Sequence, residues 1–237
     1  MKISRRGLLL TIGILAIPAA YSHYECLRIE VTRLRLDMGA RIAFLTDTHI
    51  HFYDPVKEEI IRLLDREDPD IVLHGGDILD ELTPSLDPVK RFLSQIDAIE
   101  KYAVLGNHDH WSGRIGELAK ILRECGFRLL IDEWAESRVG RIYGVDWRDS
   151  RRYKPASDAT ILLAHDPNVA LEAGGSKLIL AGHTHGGIVI QGLTLLSNSA
   201  YARGLHEING SILYVSRGLG QMIPLRPTSP LELVIIE

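Results

Sequence analysis

Only two cysteines occur in the 237 residues. That excludes a disulfide-built scaffold and a zinc finger made of thiolates. Positive charge is not in excess either. Twenty-seven basic residues face 31 acidic ones, for a net charge of −4, so the basic surface of a nucleic-acid binder is missing and no nucleic-acid partner is expected. Internal repeats and low-complexity tracts are absent. A content of 46% hydrophobic and 24% charged residues is that of an ordinary globular domain and excludes a disordered, a collagen-like or a polytopic membrane chain. What the chain does have is histidine. There are ten, more than half of them in short clusters with Asp, Asn and Gly.

One long apolar run stands apart. Residues 7–20 read GLLLTIGILAIPAA, preceded by Lys2, Arg5 and Arg6, with no charge from Gly7 to Tyr24. A basic start followed by an apolar stretch has the shape of an export signal, and Ser4-Arg5-Arg6-Gly7-Leu8-Leu9 is similar to a twin-arginine signal. Eighteen uncharged residues also approach the length of a membrane span. A cleaved leader and an uncleaved anchor with its positive end inside fit equally well. The competing reading, a buried N-terminal helix, would need a polar face at the helical period, which the run lacks. Residues 1–22 are therefore expected to be a signal or anchor segment, and residues 23–237 a single domain that is membrane-anchored or exported. Without residues 1–22 the chain has 215 residues and a charge of −7.

The first half of that domain alternates strand and helix. Leu27–Leu36 alternates apolar and polar residues, and Arg41–Thr46, Ile71–His74 and Lys101–Leu105 read as buried strands. Pro55–Arg66, Asp87–Ala98 and Arg114–Cys125 read as helices, the first opened by Asp54 and Pro55 and the last closed by Gly126. Such alternation predicts parallel βαβ units. After Phe127 short strands follow closely, over 127–131, 140–144, 160–164, 177–180, 187–190, 201–207, 211–216 and 231–236. Asn209-Gly210 marks a hairpin between two of them. The expected fold is α/β, a two-sheet sandwich with helices outside and a second half that is mostly β.

Five polar clusters each follow an apolar run directly: Asp47-Thr48-His49, Gly75-Gly76-Asp77, Gly106-Asn107-His108-Asp109, His165, and Gly182-His183-Thr184-His185-Gly186-Gly187. In open α/β sheets ligands bind at the carboxyl ends of the strands, so five such ends would converge on one site. Two aspartates, one asparagine and four histidines offer oxygen and imidazole nitrogen donors without thiolate. That set suits Mn, Fe, Zn or Co rather than Ca²⁺. Seven ligands exceed the needs of one transition-metal ion and suit two. Any one cluster alone is weak evidence; the five in this order are not.

The set resembles the calcineurin-like metallophosphoesterase superfamily, whose pattern is D-x-H, G-D, G-N-H-D/E, H and G-H-x-H, over roughly residues 40–220. The N-terminal run, GNHDHWSG, LLAHDPN, GHTHGG and YVSRGLG are similar to the membrane-associated YkuE/YaeI-type branch, which includes LpxG-type hydrolases. The resemblance implies a four-layer α/β/β/α sandwich and two divalent or trivalent metal ions, manganese foremost. It implies that Asp47, His49 and His185 hold one ion, that Asn107, His165 and His183 hold the other, and that Asp77 bridges both. His108 would contact phosphate and the leaving oxygen, with Asp109 orienting it. Thr48 and Ile188 depart from the branch's usual leucine and glutamine without removing a ligand.

The implied reaction is hydrolysis of a phosphodiester or pyrophosphate by a metal-activated hydroxide. The substrate would be a lipid-linked or nucleotide-linked phosphate. A phosphomonoesterase or nucleotidase, and a silent membrane-tethered binding protein, are the alternatives. Short spacings between the clusters leave no room for a cap domain. Two flanking features bear on the substrate. Arg148–Lys154 carries four positive charges and one negative, a candidate for an anionic headgroup or an ordinary solvated loop. Met222–Leu225 would form an apolar lip or face the core. His51 and His110 are expected at the rim, His74 in the core and His206 in a structural or surface role. A monomer is expected.

Overall fold

The computed structural model describes residues 16–237. The apolar run begins outside them, and so do the basic residues before it. A helix over 16–25, α1, leads into the domain. Among the described residues no helix is long and apolar enough to cross a membrane.

The first sheet joins β1 (Ile29–Leu34), β14 (Leu231–Ile236), β2 (Ile42–Leu45), β3 (Ile71–His74), β4 (Glu100–Ala103) and β5 (Arg128–Leu129), in that order. β2 to β5 run parallel, as the βαβ alternation predicts, and β14 enters between β1 and β2, parallel to β1 and antiparallel to β2. The second sheet has the order β12 (Gly204–Ile208), β13 (Ser211–Val215), β9 (Leu178–Ala181), β8 (Ile161–Leu163), β7 (Gly140–Gly144) and β6 (Glu133–Ser137). Its middle strands are parallel and its two edge strands antiparallel. β10 (Ile188–Ile190) and β11 (Leu193–Leu196) form a separate hairpin.

Alternation along the strands divides the core. Ile42, Phe44, Ile71, Leu73 and Val234 of the first sheet meet Ile142, Ile161, Leu163, Leu178 and Leu180 of the second. The opposite faces of the same strands, Ala43, Leu45, Val72 and Ala103, pack against α2 (Pro55–Glu67), α3 (Asp87–Ser94) and α5 (Ile115–Glu124) through Ile60, Leu64, Phe92, Leu93, Leu118 and Leu122. Strands buried on both faces have near-continuous apolar sequences, which is why they are easy to find. On the outer face of the second sheet the covering layer is thin. One 3-10 turn, Pro167–Leu171, seals it with Val169 and Ala170.

Local signals place the ends of these elements. Asp54 caps α2 by accepting a hydrogen bond from the Lys57 backbone N–H, 3.0 Å. Asn209 and Gly210, both with positive φ, turn β12 into β13. The two cysteines are buried and unpaired, so no disulfide contributes. Four elements are additions to the sequence reading: the hairpin partner β11, the short β6, the 3-10 turn Pro167–Leu171, and α4 (Asn107–Trp111), which begins at the third cluster.

β14 also carries a buried charge. The Glu232 carboxylate accepts hydrogen bonds from Tyr214 OH (2.8 Å), the Arg217 backbone N–H (2.9 Å), the Arg217 guanidinium (3.0 Å) and the Thr32 hydroxyl. Burial alone would raise its pKa, but Arg217 and the Thr32 hydroxyl hold it below the usual value. A carboxylate with a lowered folded pKa contributes stability above its unfolded pKa of about 4.3, and that contribution is lost as pH falls through the folded value. Thermal melts should therefore show Tm falling as pH drops below about 4.3, and Glu232→Gln should flatten that fall while lowering Tm at neutral pH. An unchanged acid limb in the variant would remove Glu232 from the account.

Candidate metal centre

The carboxyl ends of β2, β3, β4, β8 and β9 lie side by side, and each delivers one polar cluster to the same edge of the sandwich. Asp47, His49 and His185 present ligand atoms within 4.8 Å of one another, and so do Asp77, His165 and His183. Asn107 joins the second group, its Oδ1 3.1 Å from His165 Nε2. Asp77 lies between the groups, with Oδ2 3.1 Å from His165 Nε2 and 3.7 Å from His49 Nε2. All seven residues named from the sequence are thus brought together.

The backbone there is unusual. Asp47, His49, Asp77, His183 and His185 all have left-handed φ, between 38° and 70°. Side chains other than glycine avoid this region, and where they occupy it the surroundings must compensate. Each turn is sharp because the chain leaves a strand and must aim a side chain back over the sheet edge. Two glycines make room. A Cβ on Gly106 would lie 2.1 Å from Asp77 Oδ1, and one on Gly182 would lie 2.3 Å from Asp47 Oδ2. Neither position accepts a side chain without displacing a carboxylate.

Hydrogen bonds behind the rings settle which nitrogen faces the centre. His49 Nδ1–H donates to Asp80 Oδ2, and His165 Nδ1–H donates to the Gly75 carbonyl, both at 2.9 Å. A carbonyl cannot donate, so the His165 proton sits on Nδ1 and Nε2 turns inward. Orientation of metal-binding histidines by such partners is general. His49 Nε2 is buried and has no hydrogen-bond partner, and His183 Nδ1 lies 3.2 Å from His165 Nε2. An orphaned ring nitrogen, and two ring nitrogens facing one another beside a carboxylate, fit a bound cation. Charge leads the same way. Burial would lower His165, yet Asp77 holds it up at about 10, while Asp77 itself is held well below the usual carboxylate range. Burial pushes His183 and His185 down to about 3, which keeps them neutral and able to coordinate. In the metal-free protein a proton occupies the place of a cation.

Asp109 acts differently from the role the resemblance implies. Its buried carboxylate accepts from four backbone N–H groups, those of Asp77 (2.7 Å), Ile78 (2.9 Å), Leu79 (3.1 Å) and Gly106 (2.9 Å). It ties the loop bearing Asp77 to the start of α4. Burial and the Asp77 charge push its pKa up to about 7, while the N–H donors work in the opposite direction. The carboxylate that meets His108 is that of Glu81, 2.7 Å from Nδ1. A residue four positions after Asp77 does this because the backbone bends there, and no local pattern announces it.

Other neighbours are also tertiary. Asp80 holds both His49 and His51, and His110 Nε2 pairs with Asp146 at 2.9 Å. His74 is fully buried in β3 against Thr48 Oγ1, 3.1 Å. His206 meets the Arg203 carbonyl. Arg226 is buried beside His185, its guanidinium donating to the carbonyls of Gly220 (2.6 Å) and Arg217 (2.8 Å). The basic segment is partly neutralised: Arg148 pairs with Asp132 and Arg151 with Asp166, leaving Arg152 and Lys154 exposed. Ile223 and Leu225 are exposed, so that segment is a lip and not core.

Residues 40–187 match the family model described as calcineurin-like phosphoesterase. An uncharacterized metallophosphoesterase of Aquifex aeolicus is 33% identical over 92% of this chain and 94% of its own length. The Escherichia coli protein named Phosphodiesterase YaeI is 28% identical over 92% of this chain and 91% of its own. A longer uncharacterized metallophosphoesterase of Campylobacter jejuni is 29% identical over 88% of this chain, which spans 61% of it.

Proposed function

Because the chain belongs to the calcineurin-like phosphoesterase family, we propose that this hydrolase cleaves a phosphodiester or pyrophosphate in a lipid-linked or nucleotide-linked substrate. Two convergent ligand groups that share Asp77 carry this reading. Asp47, His49 and His185 would hold one metal ion, Asn107, His165 and His183 the other, with Asp77 between them. Two transition-metal ions, manganese foremost, supply activation of water near neutral pH and neutralise charge on the phosphoryl group.

The protein's own groups do the rest. Asp80 and the Gly75 carbonyl fix the rings of His49 and His165, so the ligands need little reorganisation. Glu81 on Nδ1 orients His108, leaving Nε2 to face a phosphate oxygen or donate a proton to the leaving oxygen. Trp111 packs edge-on against the His108 ring, 5.1 Å between centroids, and restricts its motion.

An amphiphilic substrate is supported by the surface beside the centre. Ile190, Leu193, Leu195 and Leu196 of the β10–β11 hairpin are each more than half exposed, and Ile223 and Leu225 face outward nearby. A cavity of about 400 Å³ with His185 at one end has Ile188, Leu196, Leu225 and Pro227 along its walls. Contiguous exposed apolar surface of this kind marks membrane or ligand contact. With an exported or anchored start to the chain, the catalytic domain would lie on the extracytoplasmic face of a membrane.

The test is metal removal with substrate profiling. Chelation should abolish hydrolysis of bis(p-nitrophenyl) phosphate, and Mn²⁺ should restore it. Full turnover after chelation would refute the metal mechanism, and a consistent preference for phosphomonoesters would favour a phosphatase over a diesterase.

A further inference from the structure

The basic segment between β7 and β8 makes firm contacts on its inner side. Arg151 grips the Asp166 carboxylate with Nη2 (2.6 Å) and Nε (2.7 Å), and its Nη1 donates to the Asn198 carbonyl at 2.6 Å. Asp166 directly follows the ligand His165 and also accepts from Tyr153 OH, 2.9 Å. Beyond Asn198, the Ser199 hydroxyl and the Ala200 backbone N–H donate to Asn168 Oδ1, at 2.7 and 3.0 Å. The chain is therefore pinned on both sides of Asn198, although Asn198 itself is exposed. Surface loops are ordinarily the mobile part of a domain, so the question is what this one carries.

It carries an amide against His183. Asn198 Nδ2 lies 3.2 Å from His183 Nε2 and 3.3 Å from the His183 carbonyl oxygen. His183 also differs from the other ligand histidines. In His49, His165 and His185 the nitrogen held from behind is Nδ1, against Asp80, the Gly75 carbonyl and the Gly220 carbonyl, and Nε2 is the ligand atom. His183 is reversed: Nδ1 points at His165 Nε2, 3.2 Å away, and Nε2 points at Asn198. A neutral imidazole that coordinates through Nδ1 must carry its proton on Nε2, and the partner of Nε2 decides whether that tautomer is favoured. An amide can be that partner, because half a turn about Cβ–Cγ brings Oδ1 to the place of Nδ2. Trp147 packs against the His183 ring, 5.1 Å between centroids, and restricts its rotation, but the indole N–H is spent on Asp149.

We propose that Asn198 is a positioning residue for the metal centre: its Oδ1 accepts from His183 Nε2–H and so holds His183 as an Nδ1 ligand. Arg151 anchors Asn198 to the chain just beyond His165, which ties the two histidines of the second ligand group together. This rests on the metal-dependent hydrolase reading above and deepens it. It also gives Arg151 a task other than attracting an anionic headgroup.

The experiment needs no substrate. It uses the full chain loaded with Zn²⁺, which is diamagnetic. Long-range ¹⁵N–¹H spectra of the histidine rings should show His183 protonated on Nε2, and His49, His165 and His185 protonated on Nδ1. Zinc affinity of the second group is measured by competition with a chelator, with the His183 resonances marking occupancy. Asn198→Leu offers no acceptor and should weaken that affinity about 10–100-fold. Asn198→Asp offers a charged acceptor and should strengthen it by at least about threefold. The His183 Nε2–H resonance should move downfield in Asn198→Asp and be lost to exchange with water in Asn198→Leu. Because Asn198 is exposed, neither variant should change Tm much. Equal affinities in the two variants, a fall in both, or a wild-type His183 protonated on Nδ1 when loaded overturns the proposal. If the variants behave as expected while the loaded protein hydrolyses no phosphate ester, Asn198 keeps its role and the hydrolase reading falls. If hydrolysis is metal-dependent and the two variants bind zinc alike, the reverse follows.

Discussion

Asp77→Asn should abolish hydrolysis and reduce bound metal from two ions per chain towards one or none. The substitution keeps the shape of the side chain and its acceptor for the His108 backbone N–H, 2.9 Å away. What it removes is the charge that faces His165 at 3.1 Å and His49 at 3.7 Å. Loss of a partner behind a metal ligand typically costs 10–100-fold, and loss of a carboxylate that faces both groups should cost well beyond that. Metal content by elemental analysis and turnover of an aryl phosphodiester are the measurements. A third readout needs no metal. In the metal-free protein Asp77 holds His165 at about 10, so in Asp77→Asn the His165 ring should titrate at lower pH by NMR. Two bound ions and wild-type turnover in the variant would remove Asp77 from the bridging place proposed for it.

The second large effect is on stability. Asp109→Asn turns one carboxylate oxygen into an NH₂ group. Each oxygen accepts from two backbone N–H donors, so either orientation of the amide leaves two buried donors facing a donor. At roughly 1–3 kcal/mol for each unsatisfied buried group, the variant should lose about 2–6 kcal/mol. For a chain of this size Tm should drop by about 2–4 °C per kcal/mol. Activity would fall too, because the loop holding Asp77 loosens. Near-wild-type stability in Asp109→Asn, with activity lost through His108 alone, would restore the orienting role that the resemblance implies. Glu81→Gln is the contrasting variant: it should lower turnover by leaving the His108 ring less firmly held and leave Tm nearly unchanged, because the pair is partly exposed.

Much of the centre was legible from residue order because its chemistry is local to strand ends. A buried strand has a short apolar sequence, the residue after it emerges at the sheet edge, and a metal ligand there must be Asp, Asn or His. Asp47, His49, Asp77, Asn107, His165, His183 and His185 all follow that rule, and they converge. The parallel strands β2 to β5 follow from helix and strand periods in the same way.

The residues that position those ligands were not legible. Asp80 reaches His49 across 31 positions, and Glu81 reaches His108 across 27. Arg226 sits behind His185 across 41. Each is a common polar residue whose partner is chosen only when separate loops pack together. The left-handed turns at five ligands were hidden for a related reason: local propensity disfavours them, and only the assembled site compensates. The sequence by itself determined the family, the residues that converge at one centre and the α/β sandwich, since these rest on short-range pattern. Tertiary structure alone decided that Asp109 holds backbone while Glu81 serves His108, and that half the basic segment is paired internally. Burial and charge pairing are properties of packed surfaces, and no single stretch of chain contains both sides of such a surface.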